Sequence, residues 1–138
     1  MKPQAMWVRV ASGRKARPVV GLYDTGSEEG LVRRSTAAAL ARAPLPEAVP
    51  VYGIGGGHVL ARESAIFQLR TLGKWCRYQA LVVPDEALDL DLLVGEDFLF
   101  RYGLVLRIRS NRIGVAYPEH FKRMTRRRGI FVASPRGR

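Results

Sequence analysis

Short apolar blocks recur along this chain, separated by glycine, proline and small polar residues. Met6 to Val10 and Pro18 to Tyr23 are two such blocks. They flank Ser12-Gly13-Arg14-Lys15, a polar stretch with a turn-forming glycine, and together they predict a β-hairpin. The second block runs straight into Asp24-Thr25-Gly26-Ser27, whose glycine and short polar side chains suit a tight turn leaving a strand. The apolar pattern returns at Leu31-Val32. Ser35 is then placed to cap a short helix through Thr36, Ala37, Ala38, Ala39, Leu40 and Ala41, with Pro44 and Pro46 preventing its continuation.

Val49 to Tyr52 and Val59 to Leu69 flank the glycine-rich stretch Gly53-Ile54-Gly55-Gly56-Gly57, which predicts a mobile hairpin tip. A phosphate-cradling loop is excluded there, because no Lys-Ser/Thr pair and no helix start follow the glycines. Trp75 to Pro84 reads as a strand and Asp85 to Asp91 as an acidic loop. Leu92-Leu93-Val94-Gly95 reads as a buried strand ending on glycine. Phe98, Leu99 and Tyr102 then have helical spacing, with Gly103 as the stop. Leu104 to Val115 predicts a closing hairpin that turns at Ser110-Asn111.

Composition narrows the picture to one mainly β domain. The 138 residues are 47% apolar, enough for a core without disulfides, and the 14 glycines and 8 prolines are spread as punctuation between strands. Cys76 is the sole cysteine, so it predicts a buried thiol and leaves no disulfide, metal site or cofactor to expect. The basic N-terminal stretch lacks a signal-peptide core and no run is long enough to span a membrane, which predicts a cytoplasmic chain. Of the net charge of +11, residues 119–138 contribute +6, so the excess is concentrated in a basic tail. The expected organisation is a domain over residues 1–118 followed by that tail, in which residues 129–133 form an interface strand or grip the surface. Nucleic acid bound through the tail is the lesser expectation, since no aromatic residues are interleaved for base stacking. His58 and His120 are expected to be exposed bystanders.

Three segments carry a resemblance over residues 6–117. Leu22-Tyr23-Asp24-Thr25-Gly26-Ser27, the glycines Gly53 to Gly57, and Leu93-Val94-Gly95 before a helix together resemble the retropepsin-like aspartic proteases, in particular their single-domain, bacterial-like members. An Asp-Thr/Ser-Gly tripeptide alone is weak, arising by chance in roughly one chain in twenty of this length. Its order with the other two segments gives the match its strength. The resemblance implies a retropepsin-like acid protease barrel with one or two short helices, one lobe per chain, and a homodimer. A second Asp-Thr/Ser-Gly is missing from the sequence, so the second carboxylate would come from a second copy.

The chemistry implied is hydrolysis of polypeptide substrates by two Asp24 carboxylates sharing one proton, one acting on the attacking water and the other on the departing amide. By the same resemblance, Thr25 locks the paired loops across the two-fold axis and Gly26 lets backbone approach the dyad. Ile54 marks the flap tip, with Gly55 beside it. Leu22, Ser27, Glu28, Leu31, Ile54, Gly55 and Leu93 fall where relatives contact substrate. Because the pocket-lining Leu22, Leu31, Ile54 and Leu93 are all apolar, the resemblance implies a preference for apolar or aromatic side chains at the cleaved bond. Two positions depart from the pattern. Gly30 stands where many relatives carry a small polar residue, and Glu96 stands where retroviral enzymes carry an arginine that pairs with the position of Glu28. Arg33, Arg34 or Arg62 are the cations available to compensate. These departures motivate the alternative of a dimeric interaction module that keeps the fold without turnover.

Overall fold

The computed structural model describes residues 1–54 and 57–126; Gly55, the side chain of Ile54 and the 129–133 segment lie outside what is described. β1 (Gln4–Val10) and β2 (Arg17–Tyr23) form the expected hairpin, with Met6 opposite Val19 in the register that buries both. β3 (Leu31–Arg33) leads to α1 (Arg34–Ala37). β4 (Ala41–Ile54), β5 (Gly57–Thr71) and β6 (Lys74–Val83) follow as an antiparallel meander. β7 (Leu92–Val94), α2 (Glu96–Tyr102), β8 (Leu104–Arg107), β9 (Arg112–Val115) and α3 (Pro118–Met124) complete the described chain.

Seven strands pair in the order β1-β2-β7-β3-β6-β5-β4, and β1 also pairs with β5. That extra pairing closes six strands on themselves as a barrel, leaving β4 as the outer strand of a long hairpin with β5. β8 and β9 form a separate two-stranded sheet. The barrel interior is filled by alternate residues of each strand, including Val8, Phe67, Leu69, Val82, Leu92 and Val94, and α2 adds Phe98 and Tyr102. Cys76 is also inside, and burial pushes its thiol up to about 12, well above the working range of a nucleophile. Gly103 terminates α2 in the left-handed conformation, φ 65° and ψ 45°, as its position after the apolar spacing predicts.

The segment after Ser35 differs from expectation. Its helix is a single turn, Ser35 does not cap it, and Ala41 already belongs to β4, paired with Ile66. Pairing with β5 outweighs alanine's helix propensity here. Pro44 does not interrupt the strand because β4 is an edge, and the register shifts between Pro44 and Val49. A third helix, α3, is not anticipated by the sequence pattern. Its Phe121 joins the main core, so packing continues past residue 118. His120 is half-buried and structural, contrary to expectation: its Nε2 lies 2.7 Å from the Arg101 carbonyl, at the C-terminal end of α2.

Asp91 ties the start of β7 to both neighbouring strands. Its Oδ2 accepts the Val20 N–H at 2.8 Å, and its Oδ1 accepts from Arg33 at 2.6 Å and from the Thr36 hydroxyl at 3.1 Å. Burial alone pushes this carboxyl up, but the Val20, Arg33 and Thr36 hydrogen bonds outweigh it and hold the group below its ordinary value. A carboxyl depressed in the folded state stabilises above its unfolded pKa, and that stability is lost as pH falls through the folded value. Urea midpoints should therefore fall from about pH 5 downward. Asp91→Ala should lose about 1–2 kcal/mol at pH 7 and flatten that dependence; an unchanged midpoint and slope would rule the role out.

Candidate active site

Three strands build the floor of the site. β7 lies between β2 and β3, with Leu93 opposite Leu22 on one side and Leu31 on the other. Where β2 leaves the sheet, the Asp24 N–H donates to the Val94 carbonyl at 2.9 Å, which sets Asp24 at the barrel's end. The turn then closes on itself. The Gly26 N–H donates to Asp24 Oδ1 at 2.7 Å, and the Ser27 hydroxyl donates to the Glu29 carbonyl at 2.7 Å. A Cβ on Gly26 would sit 3.0 Å from that same carboxylate oxygen, so any side chain there would press on the Asp24 carboxylate.

The turn entering α2 braces this loop from below. The Glu96 N–H donates to the Ser27 carbonyl at 2.8 Å and the Asp97 N–H to the Glu28 carbonyl at 3.2 Å. Gly95 makes that approach feasible. A Cβ there would lie 2.6 Å and 2.7 Å from the Glu29 carbonyl carbon and oxygen, and backbone cannot swing aside as a side chain can. The structure thus joins the Asp24 segment and the Leu93-Val94-Gly95 segment, which are far apart in sequence, into one unit.

Asp24, Gly26, Ser27, Leu31 and Leu93 line a cleft of ≈ 630 Å³. Its opposite wall contains Tyr52 and Gly53 from the β4–β5 hairpin, and Gly53 is left-handed at φ 86° where the register shifts near the tip. Tyr52 is 73% exposed, so its ring is available to a molecule in the cleft. Thr25 is exposed. Leu22 is half-buried beside Leu93 and Glu28 is exposed; neither lines this cleft. Arg33 pairs with Asp91, so it is not the compensating cation for Glu28.

Sequence reasoning missed the side wall, made by Glu86, Ala87, Leu88, Asp89 and Leu90. The alternation Leu88-Asp89-Leu90-Asp91-Leu92 is the available signal, since alternate leucines within an acidic stretch mark a segment with one apolar face. Tyr52 was also missed, being just ahead of the glycine stretch assigned to the tip, whereas Gly53 belongs to that stretch.

Comparison with protein-family profiles and with curated proteins finds no match. Among solved structures, the retroviral protease-like domain of Ddi1 from Leishmania major superposes with a TM-score of 0.56 at 13% identity, over 83% of this chain and 89% of that one. The fold is retropepsin-like. EIAV protease in complex with an inhibitor aligns with a TM-score of 0.49 and 20% identity, over 77% of this chain and 91% of that one. Within a retropepsin-like barrel, the cleft just described runs between the Asp24 turn and the β4–β5 hairpin. Among the described residues, no helix is long and apolar enough to cross a membrane.

Proposed function

We propose that the chain is one subunit of a homodimeric aspartic endopeptidase, a single-domain, bacterial-like member of the retropepsin-like group. The observation that carries this reading is the placement of Asp24 in a cleft with Tyr52 and Gly53 across from it, its loop braced by the Gly95 turn. A single chain supplies one such aspartate. Two copies meeting at Thr25 and Gly26 would bring two carboxylates together, and like charges that close share one proton. The ionised member takes a proton from water as the water oxygen attacks the scissile carbonyl carbon. The protonated member then delivers its proton to the amide nitrogen as the C–N bond breaks. Leu31, Leu88, Leu90 and Leu93 offer apolar surface to the residues on either side of that bond.

The alternative of a fold kept without turnover drew on Gly30 and Glu96. At Gly30 the space is filled by the Tyr78 phenol, which returns a hydroxyl to that position. At Glu96 the loop is held through its backbone N–H, which needs no arginine. Asp24-dependent cleavage of a denatured protein at mildly acidic pH tests the reading, and equal cleavage by Asp24→Asn would sink it.

Glu86 and Asp89 are exposed at the rim of the cleft. They should favour lysine or arginine near the apolar pair at the cleaved bond. Replacing both by lysine should raise KM about five-fold for a Lys-flanked peptide and leave kcat and the Gln-flanked control unchanged. Equal changes for both peptides would count against the assignment.

A further inference from the structure

Tyr78 projects from β6 into the space beside Gly30. A Cβ on Gly30 would lie 2.2 Å from the phenol oxygen and 2.5 Å and 2.7 Å from two ring atoms, so Tyr78 in this position requires glycine at residue 30. The ring is buried and packs edge-on against Phe67 and Phe98, at centroid distances of 5.9 Å and 4.9 Å. Its hydroxyl is doubly engaged. It donates to Asp97 Oδ1 at 2.7 Å and accepts the Gly95 N–H at 3.1 Å. Burial, and then the hydrogen bond to Asp97, push the phenol far above its ordinary value, so it keeps the proton it donates.

The residues it holds are the ones that hold the catalytic loop. Gly95 packs directly beneath Ser27 and Glu29, while Glu96 and Asp97 donate their N–H groups to the carbonyls of Ser27 and Glu28. From this geometry we infer that Tyr78 is a positioning residue for Asp24, its hydroxyl reaching in from β6 to do what a side-chain hydroxyl at residue 30 would do from within the loop. It touches neither substrate nor the reacting atoms. Its effect on turnover rests on the protease reading; its bracing of the loop does not.

The hydroxyl's role separates from the ring's by moving it. The Oγ of a serine at residue 30 is one bond beyond a Cβ that would sit 2.2 Å from the phenol oxygen, so with the ring gone it can approach the position that oxygen occupied. Four variants of the full chain make the test: Tyr78→Phe, Tyr78→Val, Gly30→Ser with Tyr78→Val, and Gly30→Ala with Tyr78→Val. Each is measured for kcat and KM on a peptide cleaved in an Asp24-dependent way, and for amide hydrogen exchange at Gly26, Ser27 and residues 95–97, which needs no turnover. Tyr78→Phe should lower kcat about ten-fold with KM nearly constant and speed exchange at those amides about ten-fold, a size within the range for losing the hydroxyl's two hydrogen bonds. The serine double variant should recover most of both losses relative to Tyr78→Val, and the alanine double variant should not. Wild-type kcat and exchange in Tyr78→Phe, or identical serine and alanine doubles, would overturn the inference. A wild type without Asp24-dependent cleavage would overturn the protease reading instead, and the exchange rates would then decide for or against the bracing.

Discussion

On the protease reading proposed above, Asp24→Asn should lower kcat for peptide cleavage by about a thousand-fold or more and leave the fold intact. The size follows from the chemistry, since each dyad requires one carboxylate as base and its partner as acid, and acid–base catalysis by such groups is worth about 10²–10⁴-fold. The intact fold follows from the geometry. Asp24 is at the surface of the cleft, its main structural duty is to accept the Gly26 N–H, and the carbonyl oxygen of asparagine can accept the same bond. Mixing wild type with the variant adds a test of the dimer. If both aspartates are needed, exchanged mixed dimers are inactive, and at a one-to-one ratio the activity per wild-type chain falls to about half. Activity in strict proportion to wild-type chains, with exchange of subunits demonstrated, would mean that each subunit acts alone. Thermal melting of the variant provides the control for unfolding.

Phe98→Ala should be the most damaging single change to stability, with a loss of about 3–5 kcal/mol. The side chain is fully buried, 0% exposed, and contacts the rings of Tyr78 and Tyr102 at centroid distances of 4.9 Å and 4.8 Å. Those neighbours cannot close over the gap. The Tyr78 hydroxyl is held by Gly95 and Asp97, and the Tyr102 hydroxyl by the Arg77 carbonyl at 2.6 Å, so both rings are pinned at their far ends. A cavity that cannot collapse keeps its full penalty. For a domain whose whole stability is on the order of 5–15 kcal/mol, that is a large share. Urea unfolding should show the midpoint lowered with an unchanged slope, and Phe98→Leu should retain more than half the difference. A midpoint within about 1 kcal/mol of wild type would show that the aromatic cluster is not a mainstay of the core.

Local pattern and local chemistry suffice for much of this protein. The β1–β2 hairpin, the strands β5, β6 and β7, and α2 with its Gly103 stop all follow from apolar periodicity and turn residues. The Asp24-Thr25-Gly26 turn and the Gly95 turn are recognisable because each needs a particular short sequence to make its backbone path feasible. The one-turn α1 departs from its local pattern for a non-local reason. The alanines at 37–39 favour helix, yet the chain from Ala41 onward gains more by pairing with β5. The cleft's side wall and the half-buried His120 escape a local reading in the same way, since each depends on what folds against it.

The aspartate and the turn that carries it are legible in the chain alone, because a tight Asp-Thr-Gly turn is encoded by three adjacent residues. The parts that hold Asp24 in place become visible only once the barrel is assembled. The Gly95 turn lies under the Ser27 and Glu28 carbonyls, and Tyr78 fills the space left by Gly30. Nothing in the local sequence marks Tyr78, a buried aromatic in an alternating strand, as different from any other core residue. Its role arises from barrel closure, which places β6 beside the loop and lets one hydroxyl accept the buried Gly95 N–H while donating to Asp97.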